Sequence, residues 1–397
     1  MTRRADWIAY ASPVSFPWGQ PGSRRIYGIA GSLAAAGYRT VVLSGDDGPS
    51  SPVRLEEVDG PGQVLHVGLG EGRPAPGPAG LAAARHFLRR GQRTVQWLEA
   101  QPTKPSHVLV YGGGAQYMVQ LRRWCRRNRV PLIADVVEWS NPWHLRGGVL
   151  APGHLSATVA LRHHYPRCDG LIAISSLLEE HFRSWGSRVL RVPPTLDVQN
   201  LPRYERRAGP NRPDLSLVYA GTPGRKDLLA HIIHAVGRVG RGGASIELRV
   251  YGPTPEQVRE LLDGEPLPPG VRLLGRLAQQ DVPRALQEAD FSVLLRRPQR
   301  FAHAGFPTKF CESLANGTPV IANVTSDLAS YLRDGVEGLV CRGYSVDDLE
   351  RVLRNAVGLG DDERRRMRRA ARQRALESFD FRRYAEPLGA FVESVRR

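Results

Sequence analysis

AGFPTKFCESLANGTPVIA, Ala304 to Ala322, reads as a loop, a helix and the strand that follows. Gly305 permits close backbone approach, and Pro307 suits the first turn of a helix. Thr308 and Lys309 then offer amides and an ammonium to an anion, at the end of the helix where the peptide dipoles leave positive charge. Glu312 lies one turn further in, on the face of Thr308. Its carboxylate can accept hydrogen bonds from hydroxyls of a ligand, or in a plainer reading it only favours the helix dipole. Gly317 stops the helix at its C′ position and Pro319 opens the next strand.

Outward from this stretch the same alternation repeats. Short apolar runs rich in Val, Ile and Leu occur at 7–12, 40–44, 63–67, 107–111, 132–137, 170–175 and 189–192, and again at 215–221, 246–252, 271–275, 291–295, 319–323 and 338–341. Continuous runs of this kind are strands buried on both faces of a parallel sheet. Helical patterns lie between most of them, at 24–36, 114–128, 228–237, 255–262, 280–289 and 308–315. The series predicts an α/β protein with two Rossmann-like, doubly wound parallel-sheet domains.

The alternation pauses once, between Pro193 and Asp214, in a polar stretch with five prolines. This is the expected linker, 193–214, between a first domain, 1–192, and a second, 215–378. The tail, 379–397, reads as an amphipathic helix with Phe381, Tyr384, Leu388 and Val392 on one face. Two such domains face each other across a crevice, and ligands bind outside the carboxyl ends of the strands. Functional residues are therefore expected in loops just after strands.

The chain has 397 residues and a net charge of +16, and its 55 cationic residues include only three lysines, Lys104, Lys226 and Lys309. A basic balance suits nucleic acid, anionic lipid head groups or phosphorylated substrates, although arginines spread over helix faces are its simplest source. No apolar run is long enough for a transmembrane helix, and the N-terminus lacks the apolar segment of a signal peptide. The four cysteines are far apart and lack metal-ligand spacing. A cytoplasmic protein is expected, with a basic surface open to peripheral contact with the inner face of an anionic membrane.

Three further segments carry chemistry. YAGTPGRKD, Tyr219 to Asp227, places a glycine loop after a strand and Arg225-Lys226 at a helix start, an anion site by the same argument. YASPVSFPWGQPGSRR, Tyr10 to Arg25, puts Gly19 and Gly22 before a helix. IADVVEWSNPWHL, Ile133 to Leu145, puts Asp135 and Glu138 after a buried strand beside Trp139, Trp143 and His144. Acids with aromatic neighbours suit carbohydrate recognition, but equally describe a buried acid among core tryptophans. YGGGAQY, Tyr111 to Tyr117, is not G-x-G-x-x-G and is discounted as a dinucleotide loop. There is no P-loop, no Asp-x-Asp pair to hold a metal on a diphosphate and no GxSxG elbow.

Taken together, GTPGRKD and GFPTKFCESLANGTPVIA resemble the donor half of the GT-B glycosyltransferases, specifically the retaining family four. RVYGP (Arg249–Pro253), VRLLGRL (Val271–Leu277) and DGLIAISSLLEEHF (Asp169–Phe182) fit the same layout, so the resemblance covers nearly the whole chain. It implies transfer of a sugar from a nucleotide-diphosphate sugar to an acceptor hydroxyl, with retention, on a polysaccharide, glycolipid or natural-product acceptor. It also implies roles. Arg225 and Lys226 bind the diphosphate and stabilise its departure without a metal or other cofactor. Glu312 binds the ribose. Gly305, Phe306, Pro307, Thr308 and Lys309 hold sugar and phosphate, Arg276 and Leu277 pack on the base, and Gly19 and Gly22 approach the diphosphate. The tail helix crosses back over the first domain.

Two positions depart from the family pattern. Ala304 stands where a first glutamate is usual, and Val137 where a first-domain histidine is usual, which leaves Asp135 or Glu138 for acceptor-side work. Three other readings stay open: a nucleotide-sugar 2-epimerase on the same fold, a basic nucleic-acid-binding protein without activity, and a catalytically silent partner subunit.

Overall fold

The computed structural model describes residues 7–56, 58, 60–72, 87–140, 148–204, 212–221 and 226–396. Arg225, Trp143 and His144 lie outside them. The chain divides into two compact units: Met1–Leu196 with Ala304–Phe306 and Phe381–Arg397, and Asp197–His303 with Pro307–Asp380.

The first unit is built on strands β1 (Trp7–Ala11), β2 (Arg39–Ser44), β3 (Val53–Arg54), β4 (Gln63–Gly68), β5 (His107–Tyr111), β6 (Leu132–Val136), β7 (Gly170–Ala173) and β8 (Val189–Arg191). They lie in the order β3-β4-β2-β1-β5-β6-β7-β8. Every pairing is parallel except β3 with β4. The short antiparallel β3 was not expected, because a two-residue exposed edge strand leaves no apolar run to read. The helix Pro21–Ala35 packs on this sheet through Ile26, Ile29 and Leu33.

The second unit holds β9 (Leu215–Ala220), β10 (Ile246–Tyr251), β11 (Val271–Leu273), β12 (Phe291–Leu294), β13 (Val320–Asn323) and β14 (Gly338–Cys341). Their order is β11-β10-β9-β12-β13-β14, all parallel. The core joins Leu217, Tyr219, Leu248, Phe291 and Ile321 of the sheet to Ile232, Ile233 and Val236 of the helix Leu229–Arg241.

The sequence order of the strands reverses direction at β1/β5 in one sheet and at β9/β12 in the other. These are the switch points beside which an open α/β sheet leaves room for a ligand. The tail consists of a 3-10 turn, Phe381–Tyr384, and the helix Ala385–Ser394. Phe381, Leu388 and Val392 are fully buried in the core of the first unit, with Tyr384 packed against it. Gly31 makes the fit possible: a Cβ there would lie 3.1 Å from the Phe381 ring.

Candidate functional site

In the second unit, a polar network sits at the carboxyl ends of β9, β12 and β13. β9 ends at Ala220, and Gly221 follows with φ +141°. A Cβ on Gly221 would lie 2.3 Å from Lys309 Cε, so the lysine stem runs against the bare backbone of the loop. Lys309, in the first turn of the helix Thr308–Ala315, donates to Asp227 Oδ2 at 2.5 Å and to Tyr219 OH at 2.7 Å. Tyr219 OH donates in turn to Asp227 Oδ2 at 2.9 Å. On the other side, Arg296 Nε donates to Asp227 Oδ1 at 2.8 Å. The Arg296 backbone is clamped by Asn323, which accepts from its N–H at 2.8 Å and donates to its carbonyl at 2.7 Å. One carboxylate thus serves two cations, and the cluster carries a formal charge of +1.

Burial works to raise the Asp227 pKa, but Lys309 and Arg296 outweigh it and hold the carboxyl at about 2. Burial pulls the Lys309 ammonium below its ordinary value, with Asp227 opposing the shift. Lys309 therefore keeps only part of its ammonium open. Its side chain is 19% exposed and its charge is directed at Asp227. The reason is topological: β9 and the Thr308–Ala315 helix bring the two loop motifs together, and Asp227 lies between them.

Lys226 is half-buried, with Nζ 5.6 Å from the centroid of the Phe301 ring. The helix Thr308–Ala315 starts with no acid in its first turn and no side-chain cap, which leaves the positive end of its dipole unneutralised by its own residues. Pro307 is its N-cap and not its first helical residue. Gly305 and Phe306 are buried, and Thr308 and Glu312 are half-buried. Arg276 is exposed and Leu277 half-buried, in the loop after β11, which ends at Leu273 and not at Gly275. β11 is the edge strand, two places from β9.

In the first unit, a cavity of about 860 Å³ opens at the carboxyl ends of β1, β2, β5 and β6. Val14 and Ser15, Asp46 and Asp47, Gly112 to Gly114, and Val137 and Glu138 line it, one group from each loop. Glu138 is exposed. Asp135 also borders the cavity but is only 1% exposed and fully engaged. Arg25 donates to its Oδ1 at 2.8 Å, and Tyr10 OH to its Oδ2 at 2.6 Å. The same guanidinium donates to the carbonyls of Val192 and Pro193, each at 2.7 Å. In this geometry Asp135 ties β1, β6, the Pro21–Ala35 helix and the start of the linker together while bordering the cavity. Burial, and then the charge of Asp135, push the Tyr10 hydroxyl well above its ordinary pKa.

Gly22 lies in the first turn of the Pro21–Ala35 helix, where a Cβ would meet the Tyr111 ring at 2.9 Å. Gly19 has φ +117° and open space around it. Trp139 packs edge-on to His181 at 4.8 Å.

Sequence reading missed Asp227, Arg296 and Asn323, and discounted Gly112 to Gly114. Arg296 and Asn323 share one signal: each is a polar residue at the carboxyl end of a fully buried strand, Asn323 as the last residue of β13 and Arg296 two residues past β12. The three glycines take φ of 67°, 95° and 57°, which turns β5 sharply into the helix Gly114–Asn128 and leaves the cavity floor without side chains. Among the described residues, no group of three or more His, Cys, Asp or Glu could hold a metal ion.

Two doubly wound sheets, each with its polar loops at the switch point, define the GT-B class of glycosyltransferase fold. Residues 203–374 match the family described as glycosyl transferases group 1, so the chain carries a glycosyltransferase domain and is an enzyme of that class. No curated protein matches the chain. Among solved structures, it is similar to sucrose-phosphate synthase from Thermosynechococcus elongatus, at 15% identity over 98% of both chains with a TM-score of 0.73. It is similar to HepE from Anabaena in complex with UDP-glucose, at 16% identity over 98% of this chain and 99% of that one, TM-score 0.64. A glycosyltransferase from Rickettsia africae gives 11% identity over 98% of both chains and a TM-score of 0.66. None of these favours the epimerase or the nucleic-acid reading.

Proposed function

We propose that this chain moves a sugar from a nucleotide-diphosphate sugar to an acceptor hydroxyl, with retention, as a retaining family-four enzyme. The observation that carries the reading is the cationic cluster at the β9/β12 switch point, where Lys309 and Arg296 share Asp227 and Lys226 stands on the adjoining loop. Charge develops on the diphosphate as the sugar–phosphate bond breaks. Fixed positive charge and the N-terminus of the Thr308–Ala315 helix stabilise it without reorganising.

In this proposal Lys226, with Arg225 before it, holds the leaving diphosphate. Lys309 does not touch it directly; it fixes the Gly221 loop and lends its field. Glu312 takes the ribose hydroxyls, and the backbone from Gly305 to Thr308 faces the sugar. Arg276 and Leu277 pack on the base, and Gly19 and Gly22 belong to the diphosphate contact. Glu138 is the acceptor-side carboxylate in the cavity of the first unit. HepE binds UDP and UDP-glucose, which supports uridine nucleotides as the first donors to try. A polysaccharide, glycolipid or natural-product acceptor, a role in cell-surface polymer synthesis and a cytoplasmic location complete the reading.

Thermal shift against a panel of nucleotide sugars tests it, because a ligand that binds only the folded state raises its apparent stability. The proposal expects at least one nucleotide sugar to raise Tm, with release of nucleoside diphosphate and no need for divalent metal. A chain that answers to no nucleotide or nucleotide sugar contradicts it.

A further inference from the structure

We propose that one face of the first unit is a docking surface for an anionic lipid bilayer. It is formed by the helices Gly114–Asn128 and Pro152–Val159, the short turn Gly148–Leu150 and the segment that continues to Arg167. Leu150 is 76% exposed, Val149 52%, Leu155 48% and Val159 43%. On the neighbouring helix Val119 is 40% exposed. Apolar side chains this open, on adjoining segments, mark a contact surface when they gather in one place.

They do gather. The two helices run side by side in the same direction. At one end the Ala115 N–H donates to Ser156 Oγ at 2.9 Å, and Ser156 donates to Gln116 at 2.6 Å. At the other end Arg122 donates to His164 Nδ1 at 3.1 Å. Val149, Leu150 and Leu155 therefore lie towards the start of the pair, Val119 and Val159 along its middle, and exposed Arg123, Arg126, Arg162 and Arg167 towards its end.

Charge decides the occupant. Residues 114–130 and 148–168 contain seven arginines and no Asp or Glu. Glu99, from the helix Gln92–Glu99, meets this face by pairing with Arg127. An apolar edge bordered by arginines, with no carboxylates of its own, matches the layered chemistry of acyl chains beneath anionic head groups. Nucleic acid would use the arginines and leave Leu150 and Val149 in water. The inner face of the same segment points the other way: Ala157, Leu161 and Tyr165 line the 860 Å³ cavity. A molecule seated in the bilayer would thus enter the cavity beside the docked edge. The surface stands independently of sugar transfer; if transfer also holds, the acceptor is presented by a membrane.

Co-sedimentation of the full chain with vesicles tests this. Wild type is expected to bind phosphatidylglycerol vesicles and to bind pure phosphatidylcholine, or either lipid in high salt, about tenfold less. Leu150→Ser with Leu155→Ser should weaken binding about tenfold at low salt as well. Arg123→Glu with Arg126→Glu should abolish the preference for anionic lipid. Both variants sit on the surface and should keep the wild-type melting temperature and its shift with nucleotide sugars. That shift reports the donor site alone, so its loss and the loss of vesicle binding are distinct failures. Wild type that stays in the supernatant with phosphatidylglycerol overturns the proposal. So does binding unchanged in both variants, or a dimer in solution that Leu150→Ser with Leu155→Ser dissolves.

Discussion

Asp227 sets how much positive charge the second unit presents. It neutralises one of two buried cations and is held at about 2 by them. The carboxyl is depressed below its ordinary value, so its stabilising effect is complete above the unfolded-state pKa and is lost as pH falls through about 2. Asp227→Asn should remove about 2 kcal/mol at neutral pH by that linkage, with a further cost from leaving Lys309 and Arg296 facing each other. Denaturant titrations from pH 2 to pH 6 should show wild type and variant converging at the acid end; parallel curves would contradict the pairing.

The two acids at the carboxyl end of β6, Asp135 within the strand and Glu138 just past it, should separate in the same way. Asp135→Ala strands a buried arginine and should cost about 3–5 kcal/mol. Exposed Glu138→Gln should stay within about 0.5 kcal/mol of wild type while lowering acceptor-dependent turnover. Urea unfolding of the two variants beside a transfer assay distinguishes them. Both carboxylates were legible as site candidates, but which one is engaged was not. Arg25, 110 positions away in sequence, is the residue that claims Asp135, and no local pattern carries a partner at that range.

Elements were far more legible than partners. Among the described residues, the apolar runs located every parallel-paired strand of the two sheets, most of them because a strand buried on both faces is apolar along its length. What they could not show was β3, whose two residues are both exposed, or that the run from Val271 would stop at Leu273. Leu274 continues the apolar pattern, but β11 is an edge strand, and the chain leaves it early for the turn at Gly275. Glycine loops were visible as glycines, but their reasons lie across the fold. Gly22 is small because Tyr111 crosses it, and Gly221 because Lys309 does. Gly221→Ala combines a strained φ with a Cβ inside the lysine stem, and should cost about 1–3 kcal/mol. It should also detach Lys309 from Asp227, which a loss of the acid dependence described above would report.

At the scale of the whole molecule, the doubly wound architecture followed from the strand–helix alternation, and the switch points fix where each sheet can bind anything. The tail is part of the first unit's core through Phe381, and Phe381→Ala should cost about 3–5 kcal/mol, read as a lower urea midpoint. The net charge of +16 is spread over helix faces, so its sum says little; the acid-free stretches around the Pro152–Val159 helix are where it acquires a direction.

The central claim is that fixed cations in the second unit, with no metal, stabilise a departing diphosphate. The most direct measurement is the turnover of Lys226→Ala on the nucleotide sugar that gives the largest thermal shift, in buffer containing EDTA. Wild type should turn over in EDTA. The variant should keep its fold and lose about 3 kcal/mol of barrier lowering, a fall in kcat of about a hundredfold or more. A variant that turns over within about twofold of wild type while binding the same donor would contradict the account.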